Sequence, residues 1–270
     1  MNEAVQLERR ESVVTILLNR PNRMNAMDVE GLTELRASLQ RVAVDPQIRA
    51  VILTGAGKAF CAGGDIGTME AHWRAGTLVP LFHNLTGEQE LAVREVMTMR
   101  KPVLAVLPGV AAGGGLSLAL AADWRIASPD AFLYPAFPAI GAVPDGGLTY
   151  LLPHFLGIGK AQEMLFQNRR MGAARAHELG LIHEIVPADE LKERGWSRAK
   201  ELATGPTFAL GWIKHLLVSA YSHSLEAQLA LERRAAVEAA GGSELPEGIK
   251  AFRERRSPEF AKSGPAGPPP

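Results

Sequence analysis

The sequence predicts a mixed α/β body followed by a helical C-terminal third, and three observations carry that reading. Short apolar runs that end in turn residues recur through the first half, as VVTILL, RAVILTGAG and KPVLAVLPG. Between them lie stretches whose apolar residues return every three or four positions. From Ala173 onward only this second pattern continues, which points to layered strands and helices with a helical lobe at the end. The implied boundaries are a strand-and-helix core over residues 1–195, a helical region over 196–260 and a tail over 261–270. That tail ends in KSGPAGPPP, too rich in proline and glycine to pack, and is expected to be disordered.

Val13 to Leu18 reads as a buried strand, broken by Pro21 and the asparagines of NRPNRMNAM. Val29, Leu32, Leu35, Leu39 and Val42 then fall on one face of a helix. Arg49 to Gly57 is the next strand and turn, and AFCAGGDI (Ala59 to Ile66) follows with small residues, two glycines and an acid. Met69 to Thr98 has loosely helical spacing and predicts helices with a mobile loop near Gly76 to Pro80. Lys101 to Gly109 is a third strand. After Gly113 to Gly115, the residues Leu116, Leu118, Ala119, Leu120, Ala121 and Ala122 make a helix apolar on almost all sides, hence a buried one. DWRIASPDAFLY returns to a strand and a turn. Beyond Ala173, AARAHELGL, ADELKERGWSRAKELAT, FALGWIKHLLVSAYS and SLEAQLALERRAAVEAA read as helices that pack on the body or on another subunit.

Composition narrows the function classes. The 270 residues are 47% hydrophobic, ample material for a core of one or two domains. Lys plus Arg and Asp plus Glu are 29 each, so neither wholesale phosphate neutralisation nor a polybasic membrane surface is indicated, and no nucleic-acid or membrane partner is expected. The one cysteine, Cys61, excludes an internal disulfide or a multi-thiolate zinc site and is expected as a small buried filler. The N-terminal MNEAVQLERRESVV lacks the apolar stretch of a signal peptide and no apolar run reaches the ~18 residues of a membrane span, so a cytoplasmic location is expected. Seven histidines lack ligand spacing, and no metal is implied.

Two stretches carry the chemistry, AFCAGGDI and GVAAGGGLSLALAAD (Gly109 to Asp123). Each runs from a buried strand through glycines to a helix start, where free backbone N–H groups project and the helix dipole is positive. Two such starts converging on one oxygen supply the paired donors that stabilise an enolate or tetrahedral oxyanion. Small residues are needed because a side chain would fill the space the oxygen must enter.

The blocks NRPNRMNAM, LTGAGKAFCAGGDI, KPVLAVLPGVAAGGGLSLALAADWRIAS, IGAVPDGGLTYLLPHFLG, AHELGLIHEIV and EGIKAFRERRSPEF, in this order, resemble the signature blocks of the enoyl-CoA hydratase/isomerase (crotonase) superfamily, from about Val5 to Phe260. The resemblance implies a crotonase-like spiral of ββα units and a C-terminal helical trimerisation region giving a homotrimer or a hexamer built as a dimer of trimers. It implies an acyl-CoA thioester as substrate, no further cofactor, and an enolate held by the backbone N–H groups of Ala62 and Gly114. Gly63 and Gly113 stand beside those donors. Arg23, Met24, Ala26, Asp65 and Ile66 match positions that face the CoA moiety, and Phe252, Arg255 and Arg256 match residues that approach its nucleotide. Read locally, Asp65 caps the following helix and the arginines form a solvated face.

The acids separate the reactions within the family. Hydratases of this family use two glutamates, and here their positions hold Ser117 and Phe137, neither a competent base at neutral pH and both expected to contact the substrate. Asp145 in AVPDGG matches a catalytic aspartate of some relatives, although Asp before Gly is also an ordinary turn pairing. One carboxylate suffices to shift a double bond, and neighbours such as Phe132, Phe137 and Val143 predict a raised pKa for it. The resemblance extends furthest to isomerase members, including those acting on a ring epoxide in phenylacetate breakdown. Met69, Trp73, Phe82, Met97, Phe137 and Tyr150 would suit a bulky acyl group or serve as core. Alternatives stay open: a hydratase, or another lyase, hydrolase or decarboxylase that recruits Glu70, Glu88 or Glu90. A non-catalytic acyl-CoA-binding or RNA-binding protein is the alternative of another class.

Overall fold

Branched aliphatic runs form the strands because they fill a pleated sheet covered on both faces, and in the computed structural model, which describes residues 3–262, these runs pair as parallel neighbours. In chain order the strands are β1 (Val5–Arg10), β2 (Val13–Leu18), β3 (Ala50–Gly55), β4 (Ala59–Cys61), β5 (Val103–Leu107), β6 (Val110–Ala112), β7 (Trp124–Ala127), β8 (Phe132–Tyr134), β9 (Met171–Gly172) and β10 (Glu184–Ile185). A six-stranded sheet has the order β1-β2-β3-β5-β7-β10, and a four-stranded sheet the order β4-β6-β8-β9. Successive pairs β3/β4, β5/β6 and β7/β8 each send their first strand to the large sheet and their second to the small one. Each new pair stacks in parallel on the one before, which generates the expected spiral.

The helices are α1 (Val29–Val44), α2 (Ile66–Arg74), α3 (Leu78–Thr98), α4 (Gly114–Ala121), α5 (Leu148–Leu156), α6 (Ile158–Gln167), α7 (Ala173–Glu178), α8 (Leu191–Thr204), α9 (Thr207–Ser219), α10 (Leu225–Gly241) and α11 (Glu244–Glu254). The predicted face of α1 is the buried one, through Leu32, Leu35, Leu39 and Val42. Helix α4 is buried from Gly115 to Ala121, as its unbroken apolar sequence requires.

Three features depart from the sequence reading. Strand β1 was not anticipated, because VQLERR carries its charges on an edge that pairs with β2 alone. The loop expected near Gly76 to Pro80 shrinks to the three residues between α2 and α3, and Pro80 sits in the first turn of α3, where its missing N–H costs nothing. Helices α5 and α6, unassigned from the sequence, follow the VPDGG turn. The helical C-terminal region is present, closing in a 3₁₀ turn, Phe260–Lys262, and the remainder of the proline-rich tail, 263–270, lies outside the described residues. Among the described residues no helix is long and apolar enough to cross a membrane.

Glycine lets β4 and α4 touch. A Cβ on Gly115 would stand 2.7 Å from Cys61 Cβ and would also strike the Cys61 carbonyl. Gly115→Ala is therefore expected to lower stability by about 1–3 kcal/mol in urea denaturation, despite the better helix propensity of alanine. A loss too small to measure would show that the two turns have room to part.

Candidate active site

The turn after β2 is built to hold the turn after β4. Buried Asn25, at φ 56°, donates from Nδ2 to the carbonyls of Ala56 at 3.0 Å and Ala59 at 2.8 Å, and its Oδ1 accepts from the Arg20 N–H. The chain from Met24 onward then runs beside Ala62 to Asp65. Ala62 N–H donates to Met24 C=O at 3.0 Å, Met27 N–H to Gly63 C=O at 2.8 Å, and Asp65 N–H to Met27 C=O at 3.0 Å. Met27 and Gly64 thus form a parallel bridge.

This pairing corrects the assignment of one donor. Ala62 spends its N–H on Met24 and has none to offer a substrate oxygen. In a parallel bridge bonded through Gly63 C=O and Asp65 N–H, the residue between them, Gly64, points its own N–H away from the partner strand. That amide has no hydrogen-bond partner among the described residues and its residue lines the cavity. Gly63, at φ 94°, turns the chain there, and a Cβ on it would stand 3.5 Å from Gly114 N, so the two glycine turns meet.

Gly114, expected as the second donor, opens α4. Gly113 N–H is bonded to Tyr134 C=O, and Gly113 C=O receives Leu116 and Ser117 N–H as α4 begins. Gly114 N–H, at the first position of the helix, is left without a partner among the described residues.

Below these amides lies a cavity of about 260 Å³ walled by Met69, Phe82, Leu85, Leu118 and Phe137, with Asp145 and Gln89 as its charged and amide side chains. Asp145 Oδ1 is buried without a hydrogen-bond partner, and burial pushes the carboxyl up to about 6. Of its three expected neighbours only Phe137 lines the cavity, since Val143 is exposed and Phe132 lies elsewhere. The turn carrying Asp145 is fixed from behind: Ser117 Oγ donates to Asp145 C=O at 2.8 Å, and Leu148 N–H donates to the same oxygen. Gly146 and Gly147, at φ 56° and 78°, let the chain pass over Ser117.

Ser117 therefore holds Asp145 rather than lining the cavity, as its expected substrate-binding role would need. Gly63, Ile66, Gly113 and Phe137 do line it. Arg23 and Asp65 form an ion pair at 2.5 Å, and Asp65 also caps α2 by accepting from Thr68 N–H. Burial raises the Asp65 pKa, but the bonds to Arg23 and to backbone N–H outweigh it and hold the carboxyl below its ordinary value. Met24 is exposed and Ala26 is buried with its N–H on Arg23 C=O, both outside the cavity wall. Phe252 is exposed on α11 and also outside that wall, while the neighbouring Arg256 is bound to Glu247 and Glu254.

Of the residues expected for a bulky acyl group, Met69, Phe82 and Phe137 line the cavity, and Trp73 lines an adjoining outer one with Val79 and Ile140. Met97 and Tyr150 line a separate cavity beside Arg125. The acids of 69–98 are engaged elsewhere or outside the wall: Glu70 pairs with Arg74, Glu88 with Arg36, and Glu90 does not line the cavity. Sequence reasoning missed Gln89, which lies four residues after buried Leu85 and four before buried Val93, on the core face of α3. Among the described residues no group of three or more His, Cys, Asp or Glu is placed to hold a metal ion.

A family model described as enoyl-CoA hydratase/isomerase matches residues 8–263. The 1,2-epoxyphenylacetyl-CoA isomerase of Escherichia coli (strain K12) is 37% identical over 250 residues, 93% of this chain and 95% of that protein. The solved enoyl-CoA hydratase from Bacillus anthracis superposes with a TM-score of 0.89 at 31% identity, covering 96% of this chain and 99% of that one. The solved enoyl-CoA hydratase from Polaromonas sp. JS666 also gives 0.89 at 31% identity, covering 94% and 98%. Isomerase and hydratase names both occur among the relatives, so likeness alone does not choose between them.

A carboxyl titrating near 6 when folded and near 3.8 when unfolded binds its proton more tightly in the native state. Stability then falls as pH rises from about 4 through 6, and the ionised Asp145 costs on the order of 3 kcal/mol above that range. Asp145→Asn is expected to be more stable than wild type by up to about that amount in denaturant titrations at pH 8, with the gain vanishing near pH 4.

Proposed function

The chain belongs to the enoyl-CoA hydratase/isomerase family, and from that premise we propose that it is an enoyl-CoA isomerase in which Asp145 moves a proton along a polarised thioester. The observation that carries this reading is a lone buried carboxyl, without partner at Oδ1 and titrating near 6, in one apolar cavity with the unpartnered amides of Gly64 and Gly114. Such a pKa leaves most of the group ionised at neutral pH yet basic enough to accept a carbon-bound proton beside an activated carbonyl.

The thioester oxygen of a 3-enoyl-CoA takes the two amide donors. Asp145 removes a proton from C2, the charge spreads into a dienolate whose oxygen the amides hold, and the protonated Asp145 returns the proton at C4, leaving the 2-enoyl thioester. No second base is needed, which fits Ser117 and Phe137 where hydratases of this family carry glutamates. In this reading Arg23, Met24, Ala26 and Ile66 serve the CoA moiety, and the chemistry calls for no cofactor beyond CoA. Assembly as a homotrimer or a dimer of trimers belongs to the same reading, supported by exposed Ile213, Leu217, Tyr221, Leu229, Ile249 and Phe252 on the C-terminal helices.

Conversion of 3-enoyl-CoA to the conjugated 2-enoyl-CoA, followed by absorbance, is expected to have a kcat lower by about 10²–10⁴ in Asp145→Asn. Wild-type kcat/KM is expected to fall about tenfold per pH unit below about 6, where the base becomes protonated. An unchanged rate in the variant, or hydration of 2-enoyl-CoA faster than isomerisation, overturns the isomerase reading. Light scattering of the purified protein is expected to give three or six chain masses, and a monomer would remove the assembly from it.

A further inference from the structure

Asp145 is not the only polar side chain of this cavity with hydrogen-bonding capacity left over. Gln89 is 7% exposed, and its Nε2 donates to Gly114 C=O at 3.0 Å. A carbonyl only accepts, so the nitrogen end of the carboxamide faces it, and the orientation of the group is fixed. That bond uses one of the four capacities of the carboxamide. The second Nε2 proton and the Oε1 acceptor have no partner among the described residues.

The place of this carboxamide is also fixed. A Cβ on Gly114 would stand 3.2 Å from Gln89 Oε1, and one on Gly146 would stand 3.1 Å from its Nε2. Gln89 therefore spans the gap between the amide donor of one turn and the residue next to Asp145 in the other. Apart from Asp145 and Tyr134, the wall it shares is apolar, with Phe82, Leu85, Leu118 and Phe137. A purely hydrocarbon acyl group filling this space would strip water from the amide and leave it unsatisfied, a cost that buried polar groups avoid.

We infer that Gln89 is the specificity-determining residue of this site and that the acyl group it selects carries a hydroxyl. A hydroxyl both donates and accepts, so it satisfies Oε1 and the free Nε2 proton together. The inference rests on the acyl-CoA reading given above and narrows it to oxygenated acyl thioesters. A site built to bond a substrate hydroxyl discriminates against the analogue lacking it, because its own polar atoms are then stranded.

Calorimetric binding separates the two levels without requiring turnover. Hexanoyl-CoA is compared with 2-, 3- and 4-hydroxyhexanoyl-CoA on wild type, Gln89→Met and Gln89→Leu. At least one hydroxy ester is expected to bind wild type about tenfold tighter than hexanoyl-CoA, and the ratio is expected to fall to within about twofold in both variants. The ratio, rather than either affinity, is the readout, so a general loosening of the site does not mimic the result. No hydroxyl preference in wild type, or a preference that survives both substitutions, overturns the role of Gln89. Failure of all four esters to bind wild type fells the acyl-CoA reading, and this inference with it.

Discussion

The parallel bridge between Met27 and Gly64 is the constraint on which the site depends. It engages the Gly63 C=O and the Asp65 N–H on either side of Gly64 and leaves the Gly64 N–H over. Asn25 makes the bridge possible, since its buried side chain ties the turn after β2 to Ala56 and Ala59 through two hydrogen bonds and braces its own turn through a third, from Arg20 N–H. A neutral bond of this kind contributes about 1 kcal/mol net, but leaving a buried partner unmet costs more, so the staple fixes geometry beyond what its stability alone suggests.

The second turn is held just as firmly, by different means. Helix α4 has no polar face and is buried from Gly115 to Ala121, so it can neither slide nor tilt without opening voids. Gly63, Gly113 and Gly115 bring the backbones of the two turns into contact, and Ser117 and Gln89 tie α4 to the Asp145 turn and to α3. The buried polar groups of the site thus divide into those that are satisfied and fix the frame, and those left unsatisfied that face the cavity. Asp145 Oδ1 belongs to the second kind, a loss of stability that is tolerated where chemistry needs it.

Much of this was legible in the sequence. The strands VVTILL and KPVLAVLPG, the buried face of α1 and the all-apolar α4 follow from periodicity alone. The small-residue turns announced paired donors, and Asp145 could be singled out once Ser117 and Phe137 were seen to lack acids. What stayed hidden depends on contacts distant in the chain. Choosing Gly64 over Ala62 requires knowing that Met24 and Met27 lie alongside, about forty residues earlier. Gln89 was masked because a polar residue in an amphipathic helix reads as solvated, although its spacing from Leu85 and Val93 put it on the inner face. Met97 and Tyr150 were misplaced for a related reason: apolar content says that a residue is inside, not which side of α4 it serves. Strand β1 was missed because edge strands carry charge.

Cys61 acquires a meaning from where it sits. The single thiol of the chain lines the same cavity, is fully enclosed, receives the Gly63 N–H on its sulfur, and is pushed by burial up to about 11. At neutral pH only roughly one molecule in ten thousand carries the thiolate, the form that attacks electrophiles. A conjugated enoyl thioester is a soft Michael acceptor, and a protein that releases one beside its own cysteine risks alkylating itself with each turnover. Keeping that sulfur protonated makes it inert toward any such electrophile.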